Sequence, residues 1–228
     1  KESYSWPITT QPYWLNKPHS LGKFSVEQQD LGNPTNPQKP AIQLTFKIEG
    51  HDFTVTTPIQ HKKVDPVQGE TYQDIAIVPP ITATLSTTNI ISINGAAQKL
   101  NITFTRQDDN IASFVINTDK MTGWEVTPHT IQLDFGNQRT LSKEITLKPL
   151  STTAAAAQLR FTWNKDTLRT IETIQYDHIP MLSWYPIAEA KVQNLQIINP
   201  IKRIAYIAGA GDLVPQALNQ IGIETTLL

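Results

Sequence analysis

The sequence predicts a mainly β protein: immunoglobulin-like antiparallel β-sandwich modules followed by a short β-α-β start of an α/β domain. Three observations carry that expectation. Between Ile81 and Tyr176, apolar residues repeat with a period of two, and turn residues interrupt them about every 8–12 positions. A hairpin pattern precedes this stretch, between Ala41 and Lys63. Only in Lys202 to Leu228 does the pattern change to strand, glycine turn, helix, strand. The expected division is an N-terminal β module over 1–80 (complete, or a sandwich lacking strands), an immunoglobulin-like sandwich over 81–180, a linker over 181–200, and the β-α-β start of a truncated α/β domain over 201–228.

Residues 1–40 are rich in proline, asparagine and aromatic side chains. Prolines at 7, 12, 18, 34, 37 and 40 disfavour helix and central strand, because each fixes φ and removes an N–H donor. Trp6, Tyr13, Trp14 and Phe24 then anchor an extended segment. Two readings stand side by side. The rings pack onto a sheet edge, or Tyr13 and Trp14 form a platform for sugar rings or a partner. Tyr and Trp suit the second because they stack on apolar faces and still donate hydrogen bonds.

Leu44, Phe46 and Ile48 alternate with Thr45 and Lys47, and Phe53 and Val55 alternate with Thr54 and Thr56. The turn at Glu49-Gly50-His51-Asp52 makes them a β-hairpin. Turn chemistry follows at Asp65-Pro66 and Gly69. Ile75 and Ile77 suggest a short strand ending at Pro79-Pro80, a stiff connection without ladder donors.

From Ile81 the strands come at even spacing. ITATLS and IISI lead to the Asn94-Gly95 turn, and Leu100, Ile102 and Phe104 alternate in KLNITFTR. Asp108-Asp109-Asn110 turns the chain into ASFVINT. Trp124 to Val126, Ile131 to Phe135, Ile145 to Leu147 and Leu159 to Trp163 follow, and a last long strand takes in Leu168, Ile171, Ile174 and Tyr176. Seven or eight such strands describe a sandwich. The Ala154-Ala155-Ala156-Ala157 run reads as a loop entering a strand, since the neighbouring periods are two. Tyr176 to Pro200 reads as a linker on the sandwich surface.

In the tail, Ile204, Tyr206 and Ile207 open a strand, Gly209-Ala210-Gly211-Asp212 makes the turn, Leu213 to Ile221 is a short helix, and Gly222 signals its end. IETTLL enters a second strand, parallel to the first by the right-handed crossover rule. The start at Lys1 without Met and the stop at Leu228 within a strand make the chain read as a piece of a longer protein. The tail is expected to pack as an appendage on the sandwich or to leave an apolar sheet edge open.

The composition narrows the function. Lys+Arg 19 against Asp+Glu 20 gives no basic face, which argues against nucleic acid or anionic membrane partners. Cysteine is absent, which removes disulfides, thiol catalysis and thiolate metal sites. No apolar run is long enough for a membrane span. Backbone N–H groups around Gly209 and Gly211 could hold an anion or nucleotide phosphate. However, Val214 stands where the dinucleotide fingerprint needs its third glycine, and Asp212 would repel a phosphate and suits a helix N-cap. The purely structural turn stands beside the anion-binding reading. His19, His51, His61, His129 and His178 share no metal-ligand spacing. His61, Asp65 and Glu70 fall in one region and either meet or stay solvated. Asp108-Asp109 reads as turn chemistry, and no Gly-x-Ser-x-Gly occurs.

Several segments, taken in order, resemble one family. QPYWLNKPHSLGKF, DPVQGETYQDIAIVPP, YDHIP and KRIAYIAGAGDLVPQALNQIG are similar to the region after the catalytic domain in large bacterial PIG-L (LmbE-like) N-acetylglucosaminyl deacetylase proteins. GWEVTPHTIQLDFGNQRTLSKEITL resembles the immunoglobulin-like domains found beside α-galactosidase and sugar-binding modules. The resemblance implies a zinc-dependent amidase elsewhere in the parent polypeptide, a first sandwich that begins upstream of Lys1, and an α/β domain continuing past Leu228. That amidase uses His-Pro-Asp-Asp and His-x-x-His, and neither occurs here. Arg106-Gln107 precedes Asp108-Asp109, so no zinc or catalytic role transfers to them.

The expectation is a non-catalytic accessory segment that spaces or docks domains of a PIG-L-like deacetylase and contacts glycan. A carbohydrate- or protein-binding module is the alternative, and nucleotide or anion binding at the glycine turn a third. No cofactor or metal is expected in this chain, with zinc confined to the missing catalytic domain. The expected partners are the other domains of the parent and glycan, in a periplasmic or extracellular setting. The residues expected to touch ligand are Tyr13, Trp14, Gly209 and Gly211.

Overall fold

A computed structural model describes residues 9–34, 36, 39–67, 69–176 and 178–228. Trp6 and Asp177 lie outside the described residues. The chain divides into two units, one within Lys1–Pro79 and Ile171–Pro186, the other within Pro80–Thr170 and Ile187–Leu228.

In the first unit, 3-10 turns at Tyr13–Leu15 and Gln28–Asp30 interrupt an extended segment, as its prolines require. Strands β1 (Ala41–Ile48) and β2 (His51–Pro58) then pair antiparallel, Phe46 opposite Phe53. Their two-residue turn has Glu49 and Gly50 at φ 49° and 85°. Positive φ at both positions gives a turn whose twist matches the strands. β3 (Gln60–Asp65) and β4 (Gly69–Asp74) form a second hairpin around the expected Asp65-Pro66 turn. The chain from Ile75 to Val78, expected as a strand, is irregular. Thr10 holds it from the side, giving its N–H to the Ile77 carbonyl and taking the Ile77 N–H on its hydroxyl.

The second unit begins with β5 (Ile81–Leu85), β6 (Asn89–Ile93), β7 (Gln98–Arg106), β8 (Ser113–Thr118), β9 (Trp124–Thr127), β10 (Thr130–Asp134), β11 (Thr140–Pro149), β12 (Ala157–Trp163) and β13 (Asp166–Thr167). The expected last long strand is broken here. β14 (Glu172–Tyr176) and β15 (Ile179–Trp184) pair only with each other and belong to the first unit. Chain order then returns to the sandwich through β16 (Glu189–Leu195). Part of the expected linker is thus strand: β16 joins β12 antiparallel and β6 parallel.

One sheet has the order β5-β7-β11-β9, the other β10-β8-β12-β16-β6 with β13 beside β12. Both turn alternate residues inward. Leu100, Ile102 and Phe104 of β7 and Ile145 and Leu147 of β11 face Phe114 and Ile116 of β8 and Leu159 and Phe161 of β12 in one core. Each such side chain contributes about 1.5–3 kcal/mol of transfer free energy. Phe104 and Phe161 meet edge to face, centroids 6.4 Å apart at 87°. The outward partners are polar: Lys99 pairs with Glu144 at 2.7 Å, and the Thr103 and Ser142 hydroxyls lie 3.2 Å apart. This is an immunoglobulin-like β-sandwich.

The tail forms β17 (Arg203–Tyr206), α1 (Val214–Gln220) and β18 (Glu224–Leu227), with β17 and β18 parallel. Gly222, at φ 80°, ends α1. Its N–H reaches the Asn219 carbonyl, and the Ile223 N–H reaches Leu218 at 3.0 Å, the paired bonds of a Schellman stop. α1 lies against β6, where the Gln220 amide approaches the Asn89 carbonyl at 3.5 Å. Ile207, Leu213 and Leu227 remain exposed.

Candidate functional site

The first unit contains a cleft of about 370 Å³. Four pieces of chain build it: the segment around Trp14, the stretch near Asn36 and Pro40, one face of the β3–β4 hairpin, and β15 with Met181 and Leu182.

A proline-rich segment cannot hold its shape through a strand ladder, so side chains do it. Asn36 accepts the Tyr13 N–H on Oδ1 at 2.9 Å and donates Nδ2 to the Gln11 carbonyl at 2.6 Å. The Gln11 side chain accepts the Tyr185 N–H at 3.2 Å and donates to Asn16 Oδ1 at 2.9 Å. Tyr185 is fully buried. That burial pushes its phenol up, against hydrogen bonds with Thr10 and Ser183 that favour the phenolate. The Tyr13 hydroxyl donates to the Asn33 carbonyl at 3.0 Å. Its ring stands edge-on to Trp14, centroids 5.0 Å apart at 84°. Of the two expected platform residues, Trp14 therefore walls the cleft, and Tyr13 braces it from behind.

The facing wall is polar. In the β3–β4 register Gln60 opposes Asp74 and Lys62 opposes Tyr72, so all four share one face. Lys39 Nζ sits 2.7 Å from Asp74 Oδ2, and Gln60 Nε2 donates to Asp74 Oδ1 at 2.8 Å. Burial acts to raise the Asp74 pKa. The hydrogen bonds from Lys39 and Gln60, together with the Lys39 charge, outweigh it and hold the carboxyl below the usual aspartate value. Tyr72 donates to Glu70 at 2.9 Å and lies under the Lys62 ammonium, 5.8 Å from the ring centre. An aromatic wall thus stands near a fixed carboxylate and amide, with Pro12, Pro40 and Met181 as apolar lining. Such a site suits a ligand with both an apolar face and hydroxyl groups.

Gly209 and Gly211 lie in the second unit. Gly211 has φ 74°, and a Cβ on Gly209 would meet Asp212 Oδ2 at 2.7 Å. The Asp212 carboxylate occupies the turn, accepting the Gly209 N–H at 3.2 Å and the Tyr206 hydroxyl at 2.8 Å. That bond raises the Tyr206 phenol, since phenolate would face the carboxylate. An anion arriving here meets a carboxylate already in place. The expected N-cap role of Asp212 does not hold, because Leu213 is the N-cap residue and no side chain caps α1.

The remaining candidates disperse. His61 opposes Gln73 and so projects from the opposite face to Glu70, which pairs with Lys62; Asp65 accepts the Val67 N–H at 2.8 Å. Of the two readings for His61, Asp65 and Glu70, the meeting does not form. His19 stacks on Phe24 at 5.1 Å, and His129 Nδ1 lies 2.7 Å from the Thr118 hydroxyl. Among the described residues no group of three or more His, Cys, Asp or Glu is placed to hold a metal ion, and no helix is long and apolar enough to cross a membrane. Trp124 is buried, its indole bonded to the Ala155 carbonyl at 2.9 Å, so it offers no platform. Lys39, Gln60, Tyr72 and Asp74 are not among the residues whose pattern in the sequence points to a site. The polar alternation Gln60-Lys62 and Glu70-Tyr72-Asp74 was the available signal, but it lacks the apolar residues that mark a strand.

No model of a known protein family matches the chain, and no curated protein sequence matches it. Among solved structures, a chain from a CFA/I fimbrial chaperone–tip adhesin complex is similar at 16% identity and a TM-score of 0.31, over 50% of this chain and 56% of that one. The match thus takes in little more than half of that protein. WR4, a C. elegans MSP family member, is similar at 8% identity and a TM-score of 0.31, over 51% of this chain and 98% of that one. At these scores neither likeness bears on function, and the sandwich assignment stands on the chain's own strand order and core.

Proposed function

We propose that this chain is a non-catalytic accessory segment whose first unit binds a saccharide in the Trp14 cleft. One observation carries the reading: Trp14, braced by Tyr13, shares the cleft with an Asp74 carboxylate that Lys39 and Gln60 hold in place. The C–H face of a pyranose stacks on the indole, and its hydroxyls donate to the carboxylate and exchange bonds with the amide. The Lys39 pairing keeps Asp74 ionised, so it acts as an acceptor and not as an acid. The ordered resemblance to the post-catalytic region of PIG-L deacetylases supports an accessory role. It makes N-acetylglucosamine oligomers the first ligands to try.

Calorimetric titration with chito- and cello-oligosaccharides tests the reading. Heat is expected with the wild-type chain, and Trp14→Ala is expected to weaken binding by more than about 1 kcal/mol. Equal binding by Trp14→Ala would move the ligand elsewhere, and no heat with any oligosaccharide would end the saccharide reading. Turnover of an N-acetylated sugar by this chain with zinc would sink the non-catalytic assignment.

A further inference from the structure

We propose that the β1–β2 hairpin is a self-association surface, by which two copies of this chain stack apolar face on apolar face. The proposal is independent of the saccharide cleft.

The register fixes the face. Ile42, Leu44, Phe46 and Ile48 of β1 lie opposite Thr57, Val55, Phe53 and His51 of β2. Directly opposed residues of an antiparallel pair share one side. The other side carries Gln43, Thr45, Lys47, Asp52, Thr54 and Thr56, where the Thr45 and Thr54 hydroxyls lie 3.2 Å apart. The hairpin is therefore strictly amphipathic, a pattern that arises where one face is covered. Yet its six large apolar side chains are 44–58% exposed. A lone two-stranded ribbon is marginal in water, and covering one face supplies what it lacks.

Charge and area point to a second copy as the cover. The apolar face contains no Asp, Glu, Lys or Arg. It has nothing with which to select a charged partner, and two such faces meet without a like-charge pair, as a two-fold interface requires. Six residues about half exposed offer at most roughly 100 Å² each, so two copies would bury up to about 1,200 Å², which reaches the lower bound of stable interfaces. The sheets would stack about 10 Å apart, with Phe46 and Phe53 at the centre meeting their counterparts edge-on.

The test uses the whole chain, which has no native cysteine. Sedimentation across concentrations is expected to show a monomer–dimer equilibrium. Phe46→Glu should weaken it at least ~100-fold, because the carboxylate would be buried without a partner. Gln43→Glu, on the polar face, should leave it unchanged. A second measurement does not depend on Phe46→Glu folding: Leu44→Cys should cross-link between copies with a short bis-maleimide, and Gln43→Cys should not. A wild-type chain that stays monomeric overturns the proposal and leaves the face to a different protein or to further strands of the first sandwich. A dimer that survives Phe46→Glu, or equal cross-linking at 43 and 44, overturns it as well.

Discussion

Asn36→Ala is the most informative single change at the cleft. Its side chain makes two bonds to the backbone that carries Trp14: it accepts the Tyr13 N–H at 2.9 Å and donates to the Gln11 carbonyl at 2.6 Å. Each is worth about 1 kcal/mol net, so the pair contributes about 2 kcal/mol to keeping the segment closed. Hydrogen exchange at the Tyr13 amide reads that opening directly. Alanine at 36 should speed it about 30-fold, since about 1.4 kcal/mol is tenfold. Asn36→Asp separates the two bonds. It retains an acceptor for Tyr13 and loses the donor to Gln11, so Tyr13 should stay protected while the Gln11 side loosens. Saccharide affinity should fall in the alanine variant, because Trp14 loses its fixed position. An unchanged Tyr13 exchange rate in Asn36→Ala would refute the account of how this wall is held.

Other consequences are equally open to measurement. Phe161→Ala should cost the sandwich about 3–5 kcal/mol in denaturant unfolding, because the ring is fully buried and packs edge-on against Phe104; a loss below about 1 kcal/mol would contradict the core assignment. Asp74 is more acidic folded than unfolded, so its contribution is present above the ordinary aspartate value of 3.8 and is lost as pH falls through the lower folded value. Asp74→Asn should flatten that acid limb, and an identical limb would argue against the Lys39 pairing. Asp212→Asn should bring the Tyr206 phenol down toward 10.0, seen in a spectrophotometric titration of the phenolate. No change there would mean that the carboxylate does not fill the glycine turn.

The sandwich was legible because most of its strands bury alternate residues. Leu100, Ile102 and Phe104 sit inside while Asn101 and Thr103 sit outside, and that period of two is visible in the residues. The β1–β2 hairpin and the Gly222 helix stop were legible for similar local reasons. β16 was not, because its partners β12 and β6 are remote in sequence and its parallel pairing leaves no turn signal. The return of β14 and β15 to the first unit escaped for the same reason. At the site, Tyr13 and Trp14 were visible as aromatics in a proline-rich stretch. Asp74 was not, because nothing in its neighbourhood reveals that Lys39, 35 positions away, pairs with it. At the glycine turn, the residue pattern points to Asp212 as a cap, whereas its carboxylate turns back to the Gly209 N–H.

The most direct test of the central claim follows the indole N–H resonances of the tryptophans during titration with an oligosaccharide. Trp14 walls the cleft, whereas Trp124 is buried in the sandwich with its indole bonded to Ala155, so one chain carries both probe and control. The account predicts a saturable shift at Trp14 with Trp124 unmoved. A still Trp14, or a shift confined to tryptophans outside the cleft, would contradict it.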